Sequence, residues 1–352
     1  MWNERKAERV RLELAERARM PLGAQELLEA ASELVHRVVP VDSSCWATFD
    51  PATTMITSTV AYALDDDPRA LERFLELEYA TPGPLAFRSL KTAKKSVAVL
   101  GADDAHEPEA AAQRASEHLA PMGFSAELRW LLTAGEAAWG GVGMLRAKGR
   151  PFSTEERTFL ERVGPTLATG LRASSVRAKA NRAGELNGPA ILVFERGELA
   201  SATADGRTLL DALAALDRGA EGLPLVVRAV ARAAGRGATV HQRAWVPGYG
   251  PISLRGAPLA PGNAVIALEP SRPAEVVSLV AEALSLTARE RDVVDGVLGG
   301  LSTKDIAQAL ALSPYTVQDH LKSIFEKASV DSRRELVAEI FFGFAAPKRA
   351  AR

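Results

Sequence analysis

The chain has 352 residues, of which 43 are Lys or Arg and 44 are Asp or Glu, for a formal net charge of -1. That length exceeds what one hydrophobic core usually serves, so two or three domains are expected. The charge balance excludes a generally basic nucleic-acid coat or a membrane-surface protein, and the single cysteine, Cys45, excludes an intrachain disulfide framework and a multi-cysteine metal centre.

Residues 1–20 read as a charged helix of Arg, Lys and Glu rather than a signal peptide, and no run of roughly 18 apolar residues follows. A cytoplasmic protein with no membrane partner is expected. Residues 24–38 carry apolar side chains at helical spacing, and Pro40 closes the pattern. Residues 43–50 alternate as a strand, and Asp50-Pro51 opens a turn into a second strand over 55–63. Helical patterns over 68–79 and 110–120 precede two more strands, 125–133 and 137–146. Gly140, Gly141 and Gly143 fall inside the last of these, where glycine serves twist or close packing rather than a phosphate loop. Ser153 with Glu156 forms a capping box that launches a helix over 155–172.

Residues 167–186, rich in Ala and Arg, read as a connecting helix. Beyond Gly188, residues 189–194 and 199–203 form a hairpin around Arg196-Gly197, followed by helices over 207–216 and 223–234. Strands over 239–246, 252–255 and 264–268 come next, separated by Gly- and Pro-rich turns at 247–251 and 256–262, and a helix over 273–284 leads to the last segment.

Residues 286–342 read as four short capped helices. Thr287 with Glu290, Ser302 with Asp305, and Ser332 with Glu335 place a carboxylate three residues after a capping hydroxyl, and Ser313-Pro314 puts proline where its missing N–H is harmless. The helix that Ser313 opens has Val317, Leu321, Ile324 and Ala328 on one stripe with Phe325 at its edge, and Tyr315, Asp319, Lys322 and Glu326 on the other side. A helix from Thr303 to Ala311 precedes it across a tight turn, which is helix-turn-helix spacing.

These residues resemble LuxR-type transcriptional regulators: Leu286-Thr-Ala-Arg-Glu-Arg, Gly300-Leu-Ser-Thr-Lys-Asp-Ile-Ala, Ser313-Pro-Tyr-Thr-Val-Gln-Asp-His-Leu, Ile324-Phe-Glu-Lys and Val330-Asp-Ser-Arg-Arg-Glu-Leu-Val follow the family's successive motifs. The resemblance implies that residues 313–327 enter the major groove of double-stranded DNA. Gln318, Asp319 and Lys322 then fall where the family reads bases, Lys304, Thr316 and Lys327 where it touches phosphates, and Ser313 and Tyr315 complete the DNA face. The last helix, with Arg333 and Leu336, assists dimerisation. From Leu286 onward ten basic residues are nearly cancelled by nine carboxylates, so nonspecific affinity is small and a homodimer on paired half-sites is expected.

Upstream, the sequence of helix, two strands, a variable middle, further strands and a closing helix, with Trp139-Gly-Gly-Val-Gly-Met-Leu and Arg150-Pro-Phe-Ser-Thr-Glu-Glu-Arg, resembles a GAF domain. Two strands, small helices and three strands over 188–270 resemble a PAS domain. The expected fold is therefore multidomain α+β, with GAF-like and PAS-like α/β sensor domains before an all-α four-helix LuxR-type helix-turn-helix domain. The expected boundaries are 1–23 for an N-terminal helix, 24–175 GAF-like, 176–187 connecting helix, 188–270 PAS-like, 271–285 linker helix, 286–345 DNA-binding and 346–352 a basic tail. Both sensor folds imply a small-molecule effector, with RNA polymerase a further candidate partner. An effector would act by shifting the helical connectors over 155–186 and 273–284.

No ligand-binding residue and no cofactor can be assigned from the sequence. Trp46, Trp130, Trp139 and Tyr62 can line a pocket, although sheet aromatics are more often core. Cys45 alternates with Ala47 and Phe49 and reads as a small core residue before a sensor thiol. His36, His106, His118 and His241 lack close metal spacing, so structural or solvated roles are expected. No catalytic residue or metal ligand is assigned, because the common zinc, nucleophile-elbow and phosphate-loop signatures are absent, and the acidic run at 65–67 lacks a receiver's setting. The competing readings are a protein-interaction and dimerisation adaptor and an autoinducer-binding type of regulator.

Overall fold

The strand expected over residues 43–50 is β1, Ser43–Asp50, and Asp50 ends it by accepting from the Ala52 amide at 3.1 Å, which closes the turn into β2, Met55–Tyr62. The structure, a computed structural model, describes residues 2–64, 67–80, 82–100, 108–147, 151–177, 186–219, 222–328, 330–338 and 340. The chain divides into two units. One comprises Met1–Ser175, Glu185–Val246 and Ile252–Glu269, and the other Val176–Gly184, Pro247–Pro251 and Pro270–Arg352.

In the first unit β1 and β2 join β3 (Val97–Val99), β4 (Ala126–Ala134) and β5 (Ala137–Arg146) in an antiparallel sheet of order β2-β1-β5-β4-β3. Strand β3 and the short helix α4 (Phe87–Thr92) were not expected; three residues are too few to display alternation. The central strands are covered on both faces. On one, Trp46 and Trp130 meet edge-to-face at 5.8 Å, fully buried. The helices α1 (Glu4–Arg19), α2 (Ala24–His36) and α6 (Thr154–Arg177) belong to this side: a Cβ on Gly164 of α6 would come within 2.9 Å of Trp130 Nε1. On the other face Ala47, Phe49 and Leu131 pack with Phe87 and Leu90 of α4. Gly141 is glycine for close packing, because a Cβ there would meet the Phe87 and Phe49 rings at 2.5 and 2.6 Å.

The capping box at Ser153 forms, with the Ser153 amide on Glu156 Oε2 at 2.8 Å and the Glu156 amide on Ser153 Oγ at 3.3 Å. The same carboxylate pairs with buried Arg146 of β5 at 2.8 Å, pinning α6 to the sheet, and Phe152 stacks on that guanidinium at 4.0 Å. Helix α6 is described to Arg177; the rest of the expected connector, 178–185, lies outside the described residues.

The helices expected over 68–79 and 110–120 are each interrupted. Helix α3 (Pro68–Leu75) passes into a π-helical turn, Glu76–Ala80, and α5 (Pro108–Arg114) into another, Ala115–Leu119. A π turn inserts an extra residue and so rotates the side chains beyond it about the helix axis. Here Glu78 and His118 are thereby placed inside, at 3% and 6% exposure.

The second sheet comprises β6 (Ala190–Glu195), β7 (Glu198–Ala202), β8 (Val240–Val246), β9 (Gly250–Ala260) and β10 (Asn263–Pro270), in the serial order of the first: β7-β6-β10-β9-β8. The β6–β7 turn has Arg196 at φ 52° and Gly197 at φ 87°, the left-handed pair a two-residue hairpin needs. The turn expected over 256–262 is shorter than anticipated. Strand continues to Ala260, and Gly256 instead admits a helix, since a Cβ there would meet Val230 at 2.6 Å. Helices α7 (Ala204–Ala214) and α8 (Leu225–Gly235) lie between β7 and β8 in the chain, giving the expected two strands, helices and three strands.

The two sheets share the first unit through buried contacts. Leu225 and Ala229 of α8 belong to the core of the first sheet, and Arg243 of β8 pairs with Asp50 at 2.8 Å, both buried. Among the described residues no helix is long and apolar enough to cross a membrane.

Candidate functional site: a helix-turn-helix surface

Helix α9 (Pro273–Ala283) leads into α10 (Ala288–Leu298), α11 (Thr303–Ala309), α12 (Pro314–Ala328) and α13 (Arg333–Ala338). The caps explain these boundaries. Thr287 and Glu290 exchange both bonds at the start of α10, at 3.3 and 2.7 Å, as do Ser302 and Asp305 at the start of α11, at 3.2 and 3.0 Å. Ser313 Oγ accepts from the Thr316 amide at 3.0 Å. At α13 only half the expected box forms: Ser332 Oγ takes the Glu335 amide at 3.1 Å, while the Glu335 carboxylate accepts from the Asp331 amide at 2.8 Å. Helix α11 stops at Ala309, two residues before the expected end, because Ala311 turns into the left-handed region at φ 53° and the Leu312 amide bonds back to Ala307 O at 2.8 Å.

The apolar stripe of α12 is committed to this module: Val317 and Ile324 are fully buried and Leu321 nearly so, with Ile306 and Ala307 of α11 and Val293, Val294 and Val297 of α10 also buried. Its opposite side is open. Gln318, Asp319 and Lys322 are exposed in a row, Tyr315 is 80% exposed at the start of the helix, and Lys304 of α11 is exposed. Thr316 is half-buried, its hydroxyl 2.9 Å from Ser313 Oγ.

Two expected site residues are placed otherwise. Lys327 does not stand free for a phosphate, because its ammonium donates to both Glu290 oxygens at 2.6 and 2.7 Å. Leu336 is fully buried on α13, which packs against α10 and α12. Arg333 is half-buried, and its guanidinium bonds Leu301 O.

Sequence spacing missed Glu290 as more than a cap. Its carboxylate also accepts from Ser323 Oγ at 2.7 Å, so one buried side chain holds the N-terminus of α10 against the middle and end of α12. Burial alone would raise its pKa; the bonds from Lys327, Ser323 and Thr287 more than offset this and hold it at about 2. Partners 33 and 37 residues away leave no local signal.

A helix docked by its apolar stripe behind a preceding short helix, with a solvated polar row aimed outward, defines a helix-turn-helix protein. Residues 284–340 match the family of bacterial regulatory proteins described as the luxR family, and carry its DNA-binding domain. This chain is 54% identical over 55 residues to a Mycobacterium tuberculosis protein named as an HTH-type transcriptional regulator, covering 16% of this chain and 6% of that one. It is also 35% identical over 77 residues to the transcriptional regulatory protein FixJ of Bradyrhizobium diazoefficiens, covering 21% and 38%. The matches thus span well under half of each relative. Among solved structures, Escherichia coli SdiA aligns over 96% of this chain and 97% of its own at 12% identity and a TM-score of 0.36. A GAF domain from an Acinetobacter phosphoenolpyruvate-protein phosphotransferase aligns over 49% and 94%, at 12% identity and a TM-score of 0.34. Likeness at such scores carries no argument about ligands.

In the first unit the residues suggested for a pocket are core or surface. Trp46, Trp130 and Trp139 are buried at 0%, 0% and 2% exposure, and Tyr62 is half exposed. His36 is structural, with Nε2 3.1 Å from Ser44 Oγ and its ring beside Tyr62 at 4.9 Å; His106 lies outside the described residues. A cavity of about 130 Å³ does exist, on the opposite face, with Cys45, Phe74, Phe87, His118, Arg129 and Asp217 in its wall. Cys45 follows its expected alternation, but the face it shares with Ala47 borders this space. Burial pushes its thiol up to about 12, with Asp217 adding to the effect. Glu127 and Arg129, two apart in β4, were the available signal, being charges inside an otherwise apolar strand.

Proposed function

We propose that this protein is a sequence-specific transcription regulator in which α12 reads double-stranded DNA and the two sheet domains, over 24–175 and 188–270, sense a small molecule or partner. The observation that carries the reading is the exposed row Gln318, Asp319 and Lys322 on a helix whose apolar stripe is fully used. Glutamine pairs with adenine, aspartate accepts from the cytosine amino group and lysine donates to guanine. Lys304, Ser313, Thr316 and Tyr315 complete the surface, and Lys327 is left out of it because Glu290 holds its charge. The regulator acts in the cytoplasm, as a homodimer on paired half-sites, and can contact RNA polymerase; the effector shifts the helical connectors that flank the second sheet domain.

Selection from a random duplex library with the full chain tests this. It is expected to enrich a two-fold-related motif, with binding that weakens steeply as salt rises. Enrichment of no motif would leave the protein-interaction adaptor as the better account.

A further inference from the structure

Against the cavity in the first unit lies a buried cluster of four charges that balance one another, of which Glu127 and Arg129 reach the wall. Arg114 donates to Glu127 at 2.6 and 2.8 Å, Arg129 bonds Glu78 and lies 3.6 Å from Glu127, and all four are nearly fully buried. Two guanidiniums thus face two carboxylates. Burial, against the pull of Glu127, moves His118 down to about 4, so its ring is neutral near pH 7. Yet two polar atoms in this wall have no hydrogen-bond partner, Arg129 Nε and His118 Nδ1, on side chains 3% and 6% exposed as residues. Buried groups of this kind are normally satisfied. Both Glu78 and His118 sit in π-helical turns, which are rare and concentrate at functional sites.

The remaining wall is mostly apolar, including Ile56, Leu71 and Phe74, with Thr59, Asp217 and the exposed Asp67 as its other polar members, and the cavity's volume is close to the ~150 Å³ engineered cavity that holds benzene. Its closing side comes from the second sheet domain. Asp217 accepts from the Thr59 amide at 2.6 Å, from Thr59 Oγ1 at 2.9 Å and from the Leu225 amide at 2.9 Å. The Arg218 amide donates to Thr59 O at 2.8 Å, and Arg218 O accepts from the Ala61 amide at 2.7 Å, forming a parallel bridge on the edge of β2.

Building on the sensory role proposed above, we infer that this cavity takes one uncharged, benzene-sized ring bearing a hydroxyl, and that Asp217 and Leu225 report its occupancy to the second sheet domain. A hydroxyl oxygen accepts from Arg129 Nε and donates its proton to neutral His118 Nδ1, answering both orphans at once. A carboxylate or an ammonium is disfavoured, because the four charges of the buried cluster cancel and three of the four lone-pair sites of Asp217 are already taken by donors.

The test uses the full chain without DNA and four probes, phenol, benzene, benzoate and benzylamine. Phenol at a hundredfold excess over its Kd is expected to raise the melting temperature of the first unit by about 5 °C, and the charged rings to leave it unchanged. Hydrogen exchange with phenol bound should slow at Thr59 and Leu225 as well as in the cavity wall. Ala70→Phe, which fills the space from α3 away from the charged cluster, is expected to keep the fold and abolish the phenol shift. Preference for benzoate or benzylamine, a phenol shift that survives in Ala70→Phe, no shift with any probe, or protection that omits Leu225 would each overturn the inference. Library selection without any probe reports DNA reading separately, so the failure of one is not the failure of the other.

Discussion

Glu127→Gln is expected to cost the first unit about 3 to 5 kcal/mol, because it leaves Arg114 and Arg129 sharing one carboxylate in the interior. Glu127 is 1% exposed and takes two bonds from Arg114, with Arg129 beside it. Burial by itself would raise its pKa; Arg114 first, then Arg129, overcome this and hold it at about 2, below the ordinary 4.5. A depressed carboxylate contributes its stability fully above the ordinary value and loses it as the solution is acidified, here between pH 4.5 and 2. All five tryptophans, Trp2, Trp46, Trp130, Trp139 and Trp245, lie in the first unit, so thermal unfolding followed by tryptophan fluorescence reads this change alone. A fall in melting temperature of about 6 to 20 °C is expected. Arg114→Leu combined with Glu127→Leu should recover most of it, since the Arg129–Glu78 pair is still balanced. An unchanged transition in the single variant would show that the buried cluster is not what holds β4 and α5 together.

Glu290→Ala is expected to loosen the DNA-binding module by about 3 kcal/mol without moving the fluorescence transition. The substitution removes the acceptor for the Thr287 amide, for Ser323 Oγ and for the Lys327 ammonium, and so unties α10 from the middle and end of α12. Faster hydrogen exchange across α10 and α12 is the direct measure. The acid dependence has the same sign as for Glu127, because the folded value of about 2 lies below the ordinary 4.5: the tie between the helices is complete above pH 4.5 and dissolves toward pH 2. Exchange in α12 that matches the unsubstituted protein would assign its placement to the apolar stripe alone.

Most of the elements were legible because they obey local rules. The hydroxyl and carboxylate at Thr287–Glu290 and at Ser302–Asp305 announce α10 and α11, and the strands expected over 43–50 and 137–146 are β1 and β5 to the residue. The features that escaped depend on contacts distant in the chain. The π turns at Glu76–Ala80 and Ala115–Leu119 follow a helical pattern in sequence and break it only because Glu78 and His118 find buried surroundings. Gly256 looks like a turn and serves as a seat for Val230. The DNA-facing row on α12 was readable from periodicity, whereas the engagement of Lys327 by Glu290 and the burial of Leu336 were not, since both partners and packing come from other helices. The cavity was invisible for the same reason: β1, β2, α3, β4, the π turn at Ala115–Leu119 and the segment around Asp217 contribute a few residues each at most.

The most direct test of the central claim is the affinity of Gln318→Ala and Lys322→Ala, in the full chain, for the selected DNA site and for a scrambled duplex. Both side chains are exposed, so the fold should persist. Each variant is expected to lose about 5- to 150-fold on the selected site, and Gln318→Ala to bind scrambled DNA as before. Retention of full selectivity in both folded variants would contradict the assignment of α12 as the reading helix.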